Sequence, residues 1–394
     1  MQFMSRSRRM CARFVTPLLL WACGVAGGPA CATVLAPTSD AEVIETLPAG
    51  AGNRTAERQL RRQLAANPNA VEPALALARR YLDAARAQGD PRYAGLAFAA
   101  LAAWPSAATA PDDVLLMQAT LQQFVHDFDT SAANLENLVQ RSPTHAQGWL
   151  TLATVRRVQG RYAESNRACA SLGASHAGLY ARACQAENAS LQGHFDGARA
   201  SLTALLAGPG IDASARNWLL TTLAESEARA GRPAAAQAAF TQALAAQADP
   251  YTTLAYADFL LHRGRPADAL LQLRGERRTD AVLLRLAIAA TQAGAPQASA
   301  DVAEFRQRLE LAHQRPEART THAREAAMFA LWVDKEPRRA LELARVNAGQ
   351  QREPVDLLVF AQAAAASGDA AARREVAALV ASMGLHDKRL AALR

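Results

Sequence analysis

The chain has 394 residues, of which 50% are hydrophobic but only 6% aromatic, and its formal charge is +7. The first 32 residues hold four arginines and no acidic residue, which leaves 39 basic and 36 acidic residues in the remainder. Arginine doublets are scattered and build no single stripe. So modest and interspersed an excess argues against a nucleic-acid-binding surface. The abundance of alanine and the lack of alternating β-branched runs favour an all-helical chain.

The N-terminus has the organisation of a secretory signal peptide. Four arginines between Arg6 and Arg13 precede an apolar stretch over residues 14–26. Ala30, Cys31 and Ala32 then fit the small-x-small pattern at which such peptides are cleaved. The stretch is too short for a confident membrane span. We therefore predict a signal peptide over residues 1–32, cleavage after Ala32 and a periplasmic location.

A lipid-anchored form is the alternative at this end of the chain. Leu20, Trp21, Ala22 and Cys23 have the outline of a lipid-attachment box, although Trp21 is bulkier than the small residue usually found there. Lipidation of Cys23 would make the protein an outer-membrane lipoprotein, and we expect membrane association only in that case. A hydrophobic N-terminus that arose by chance is the remaining interpretation.

Residues 33–53 contain Pro37, Pro48, Gly50 and Gly52, a composition typical of a linker or an extended arm. Residues 54–66 are predicted to form a helix that ends at Asn67 and caps the first repeat. We assign residues 54–394 as a whole to a helical-repeat domain.

A small or polar residue recurs at intervals of 30 to 41 residues from about Leu75 onward, and we predict that each instance is the turn between two helices. Glycine suits a left-handed residue that ends a helix, and proline suits the first turn of the next helix. Eight of the nine predicted turn residues have an aromatic residue or a proline two positions later. The predicted turn residues are Gly89, His126, Gly160, Gly193, Gly231, Gly264, Gly294, Lys335 and Gly368.

The residues around these turns resemble the tetratricopeptide repeat family over roughly residues 75–385. The matching residues are Trp149, Leu152, Ala153, Gly160 and Tyr162, then Leu220, Leu223, Ala224, Gly231, Ala236, Phe240 and Ala243, then Tyr256, Ala257, Gly264, Ala269 and Leu273. The resemblance implies an all-α, right-handed α-solenoid of about eight to nine helix-turn-helix repeats. Solenoids of this kind present binding surfaces rather than closed catalytic pockets. The phase slips near Lys335, and the two longest intervals predict extended helices or loops near Gly210 and around residues 313–321.

Three consecutive first helices carry an acid and an aromatic residue at matching positions. The acids stand six residues before the turn glycine and the aromatics thirteen, so each pair shares one face of its helix. In the family that the chain resembles, this face lines the concave groove. The six residues are Tyr180, Glu187, Trp218, Glu225, Tyr251 and Asp258.

Acids beside aromatics would suit a basic or amine-bearing partner, through charge and cation–π contacts. We therefore predict that these six residues line a negatively charged strip for a partner protein or peptide. In the alternative interpretation the aromatics pack between repeats, and the acids are solvated or paired with Arg182 and Arg229.

Cys169 and Cys184 are the cysteines that remain after removal of residues 1–32. They fall on the second helix of one repeat and the first helix of the next. Since such helices are neighbours, we predict a disulfide. The alternatives are two free thiols, or a zinc site with His176 and His194, whose spacing fits no compact zinc module.

The sequence contains no motif of a metalloprotease, a redox CxxC pair, a nucleotide-binding P-loop or a serine nucleophile elbow. We therefore predict no catalytic residues, no metal and no cofactor. The predicted function is an interaction scaffold or adaptor of the bacterial cell envelope that binds another protein or a peptide. The alternatives are a lipid-anchored outer-membrane assembly factor and a periplasmic enzyme subunit that uses the acidic groove.

Overall fold

The computed structural model describes residues 51–90, 92–175, 177–314 and 322–393, and residues from Gly52 to Arg394 form one compact unit. The predicted signal peptide, Cys23 and most of the predicted linker lie outside the described residues. Within the described ranges, no helix has both the length and the apolar character needed to cross a bilayer.

All regular secondary structure in the described ranges is α-helical, as predicted. The first ten helices are α1 (Ala51–Ala66), α2 (Val71–Gln88), α3 (Arg92–Ala100), α4 (Asp112–Phe124), α5 (Phe128–Arg141), α6 (Ala146–Val158), α7 (Tyr162–Ala174), α8 (Gly178–Leu191), α9 (Phe195–Leu206) and α10 (Ala213–Arg229). The following ten are α11 (Pro233–Ala246), α12 (Pro250–His262), α13 (Pro266–Gln272), α14 (Asp280–Ala293), α15 (Ala298–His313), α16 (Ala323–Trp332), α17 (Pro337–Gln350), α18 (Pro354–Ala366), α19 (Ala370–Met383) and α20 (Lys388–Ala391).

Helices α2 to α19 form nine consecutive pairs, and the two helices of each pair pack against each other. Each predicted turn residue lies between the two helices of one pair. All nine have a positive φ, from 59° at Lys335 to 90° at Gly193. His126 is the other non-glycine among them, with a φ of 65°. The predicted all-α architecture of helix-turn-helix repeats is therefore confirmed.

Proline and aspartate fix where many of the helices begin. Pro233, Pro266 and Pro337 occupy the first position of α11, α13 and α17, where the missing N–H is not needed. Asp212 and Asp249 cap α10 and α12, because their carboxylates accept hydrogen bonds from backbone N–H groups three residues later. Local sequence thus sets the start of these second helices and of the first helices α10 and α12.

A buried alanine recurs seven residues before the turn in seven of the nine pairs. The small side chain lets the first helix approach its neighbours closely, and the larger residues of the core fill the space on either side. These alanines are Ala119, Ala153, Ala186, Ala224, Ala257, Ala287 and Ala361.

The C-terminal part of the chain lies against the turns of earlier pairs. The backbone N–H groups of Arg352 and His386 donate to the carbonyl oxygens of Val158 (2.7 Å) and Leu191 (2.8 Å), which lie at the C-terminal ends of α6 and α8. These bonds satisfy carbonyl groups that a helix end leaves without a partner. Residues 383–388, which we call the C-terminal clasp, also approach Gly160, Gly193 and Gly231. The sequence did not predict this contact.

The two long intervals have different origins. The interval between Gly193 and Gly231 contains the connection over residues 207–212 and the 17-residue helix α10. The interval before Lys335 contains the 16-residue helix α15, and residues 315–321 lie outside the described part of the chain.

Candidate partner-binding surface and cavity

The first helices of pairs three to nine line one cavity of about 380 Å³. The predicted groove residues Glu187, Glu225, Tyr251 and Asp258 are part of its wall. Residues of α16 and α18 and the more C-terminal Arg389 also belong to this lining. The charged residues of the lining are Arg157, Glu187, Glu225, Arg229, Asp258, Arg285, Glu353 and Arg389.

Arginines from neighbouring first helices neutralise two of the three predicted acids. Glu187 pairs with Arg157 of α6 at 3.0 Å, and Asp258 forms a two-pronged pair with Arg285 of α14 at 2.6 and 2.8 Å. The expectation of an uncompensated negative strip is therefore wrong. The alternative that the acids are ion-paired fits better, although the partners are Arg157 and Arg285 rather than Arg182 and Arg229.

Glu225 is held by a hydrogen bond from the Tyr251 hydroxyl, at 2.7 Å. Burial raises the pKa of the Glu225 carboxyl, and the positive charge of Arg229 opposes this shift in part. The negative charge of Glu225 raises the pKa of Tyr251 well above its usual value. Tyr251 is thus a neutral hydrogen-bond donor, and 59% of its surface is still exposed to solvent.

Tyr180 and Trp218 stack on each other with ring centroids 5.7 Å apart, and they do not belong to the described cavity lining. Trp218 packs partly against the core of the α8–α10 region, whereas Tyr180 keeps 40% of its surface exposed. On α10, Trp218 and Glu225 are seven residues apart and so lie on one face, about 10 Å from each other. We call Tyr180, Trp218 and Tyr251 the aromatic strip.

The structure therefore divides the six predicted residues into two groups. Three acids and Tyr251 meet at the cavity, and Tyr180 with Trp218 extends the surface beyond it. No pattern in the sequence marks several other residues of the lining, among them Arg157, Arg285, Trp332, Glu353 and Gln362. Arg157 and Arg285 lie three and nine residues before the turn residues of their pairs, so they occupy different positions within the repeat.

Cys169 of α7 and Cys184 of α8 form a disulfide in the structure, with their Cα atoms 5.7 Å apart. Both residues are buried, and the Asn188 side-chain amide donates to the Cys169 sulfur at 3.4 Å. Since the two sulfur atoms are bonded to each other, neither is present as a thiolate ligand for the alternative zinc site. His176 lies outside the described residues, and no described group of three or more His, Cys, Asp or Glu side chains could hold a metal ion.

Comparisons with known proteins add little to this geometry. No protein-family model matches the chain, and no curated protein matches its sequence. Among solved structures, the crystal structure of yeast Tom70 is similar at 10% identity, over 87% of this chain and 88% of that chain, with a TM-score of 0.22. At that TM-score the two backbones do not superpose closely, and nothing about function follows from the likeness.

Proposed function

We propose that this chain is a non-enzymatic scaffold of a bacterial cell envelope and that its aromatic strip binds another envelope protein or a peptide segment of one. The observation that carries the proposal is the exposure of Tyr180 on α8 and Tyr251 on α12, the first helices on either side of α10, which carries Trp218. Large aromatic side chains supply contact area at little entropic cost, and they are enriched where proteins bind each other.

The proposed partner contact is mainly apolar. Glu187 and Asp258 already have arginine partners, so an incoming segment meets aromatic side chains rather than unbalanced charge. Binding should therefore change little between 0.1 and 0.5 M salt, although salt at such concentrations screens exposed charges strongly.

Site-specific photo-crosslinking tests the surface. A photoreactive phenylalanine analogue replaces Tyr180 or, separately, Tyr251 in the native cell, and a third variant carries it at Leu271 of α13. Leu271 is 61% exposed and lies on a second helix, so it serves as the control. We expect the same partner to be captured from Tyr180 and Tyr251 and not from Leu271. No adduct at the two tyrosines, or equal capture at Leu271, would contradict the proposal.

The envelope location rests on the signal-peptide pattern of residues 1–32, and an oxidising compartment also suits a disulfide between Cys169 and Cys184. Mass spectrometry of the protein purified from cells tests it. A mature chain that starts at Thr33 supports the soluble periplasmic form. A lipid-modified Cys23 at the N-terminus would instead support the lipid-anchored alternative, and an intact Met1 would refute export.

A further inference from the structure

Four polar atoms of the cavity residues are buried and have no hydrogen-bond partner within the described chain. They are Nη1 of Arg157, Nε of Arg229, Oε2 of Glu187 and Oε1 of Gln362. Buried polar groups are normally hydrogen-bonded, so four such atoms around one cavity need an explanation. A ligand that occupies the cavity would supply the missing partners.

Each of these side chains is otherwise held in place. Arg229 is only 4% exposed, and its Nη2 donates to the Ser190 hydroxyl at 2.7 Å. Nε of Arg157 pairs with Oε1 of Glu187, and Nη1 of the first residue and Oε2 of the second remain without a hydrogen-bond partner. Arg157 and Glu187 keep 15% and 17% of their side-chain surface open, so a small rotation presents these atoms to the cavity.

The free groups are balanced between donors and acceptors. Two guanidinium N–H groups would bind a carboxylate, and a carboxylate oxygen with an amide oxygen would bind an ammonium group. The charged lining as a whole consists of four arginines and four acids. A ligand with a net charge would upset this balance, whereas a zwitterion preserves it.

Much of the remaining lining is apolar and includes Phe240, Phe259, Met328 and Trp332. A volume of about 380 Å³ lies at the lower end of the range for small-molecule sites, about 300–1,000 Å³. The cavity is therefore suited to a small molecule with one apolar substituent.

We propose that the cavity binds a small zwitterion with an apolar substituent, the chemistry of an apolar α-amino acid. The carboxylate accepts hydrogen bonds from Arg157 and Arg229, the ammonium group donates to Glu187 and Gln362, and the side chain packs on the aromatic wall. This site goes beyond the scaffold function and can fail or hold independently of it, because the crosslinked surface includes Tyr180, which does not belong to the cavity lining.

Calorimetry on the full chain, with Trp fluorescence as a second signal, tests the ligand chemistry. The probes are L-leucine and L-phenylalanine, each compared with its N-acetyl form and its amide. We expect saturable binding of at least one free amino acid and a loss of at least about tenfold in affinity when either charge is blocked. No binding of either amino acid up to about 10 mM, or equal binding of the blocked forms, would overturn the proposal.

Variants test the assigned residues. Glu187→Gln should lower the affinity for the free amino acid by at least about tenfold. The affinity for the N-acetyl form should not change, because that form has no ammonium group. Arg229→Gln should lower the affinity for both forms. Arg182→Gln, an exposed change on the same helix as Glu187, is the control and should have no effect. If Arg229→Gln fails to fold, the Glu187→Gln comparison still decides, and an unchanged affinity for the free amino acid there would refute the site.

Discussion

At the scale of single residues, backbone conformation is the property that the sequence predicts best. The nine turn positions were found from spacing alone, and two of them, His126 and Lys335, are not glycines. Both adopt the left-handed conformation all the same. His126 also stacks on Phe128, with ring centroids 5.5 Å apart. The repeat therefore imposes the turn geometry even where the residue type does not favour it.

Two glycine substitutions should change stability in opposite directions. Gly264 has a φ of 67° and Gly95 lies within α3, and an added Cβ would meet no atom within 4 Å at either position. Gly264→Ala should destabilise the protein by about 1–2 kcal/mol, since a side chain disfavours the left-handed conformation. Gly95→Ala should stabilise it by about 0.5–1 kcal/mol, since alanine favours the helix. Urea unfolding of both variants checks this, and a change of the same sign would contradict it.

The ion pairing of charged side chains is much harder to predict at this scale. The spacing of Glu187, Glu225 and Asp258 predicts one shared face, and in the structure the three acids line one cavity. Their arginine partners come from neighbouring repeats at other phases, so the pattern within one repeat could not reveal them. A negative strip was therefore expected where the structure has ion pairs.

At the scale of helices, the neighbour relation between α7 and α8 was enough to suggest the disulfide. Adjacent helices of a solenoid lie close together, and Cys169 and Cys184 fall on facing surfaces. The bond links the second helix of one pair to the first helix of the next, so it reinforces a junction between repeats. The same reasoning does not show which of the six predicted groove residues line the cavity, because the stacking of Tyr180 on Trp218 depends on side-chain rotation.

Removing the disulfide should destabilise the protein by about 3 kcal/mol in the chain-entropy model, given its sequence separation of 15 residues. The double variant Cys169→Ala with Cys184→Ala is compared with the parent by urea unfolding, with and without a reducing agent. The variant should be insensitive to the reductant, whereas the parent should lose stability. Two reactive thiols in the non-reduced, denatured parent that lacks residues 1–32, and so has only Cys169 and Cys184, would show that the bond is absent.

At the scale of the whole chain, the curvature of the repeat array was beyond what the sequence predicted. Curvature accumulates from small rotations between neighbouring pairs, and side-chain shape at each junction sets these rotations. Hence the repeat pattern predicted a row of helices but not that residues of α16 and α18 would line the same cavity. The same holds for the C-terminal clasp at Gly160, Gly193 and Gly231.

The clasp makes the turn at Gly193 more sensitive to an added side chain than the turn at Gly264. At Gly193 an added Cβ would lie 2.9 Å from Cγ of His386, close to that residue's backbone, while at Gly264 it would meet nothing within 4 Å. Both positions have a positive φ, so at both of them a side chain in the left-handed conformation lowers the stability of the protein. Gly193→Ala should therefore destabilise the protein more than Gly264→Ala does, by about 1–3 kcal/mol as in other overpacked contacts.

A double-mutant cycle separates the clash from the backbone cost. His386→Ala removes the imidazole ring, so Gly193→Ala should be less destabilising in that background, while Gly264→Ala should cost the same in both. Hydrogen exchange gives an independent readout, because the His386 N–H donates to the Leu191 carbonyl oxygen and should be protected in the folded protein. Additive effects of Gly193→Ala and His386→Ala, with rapid exchange at His386, would mean that the C-terminal clasp does not rest on these turns in solution.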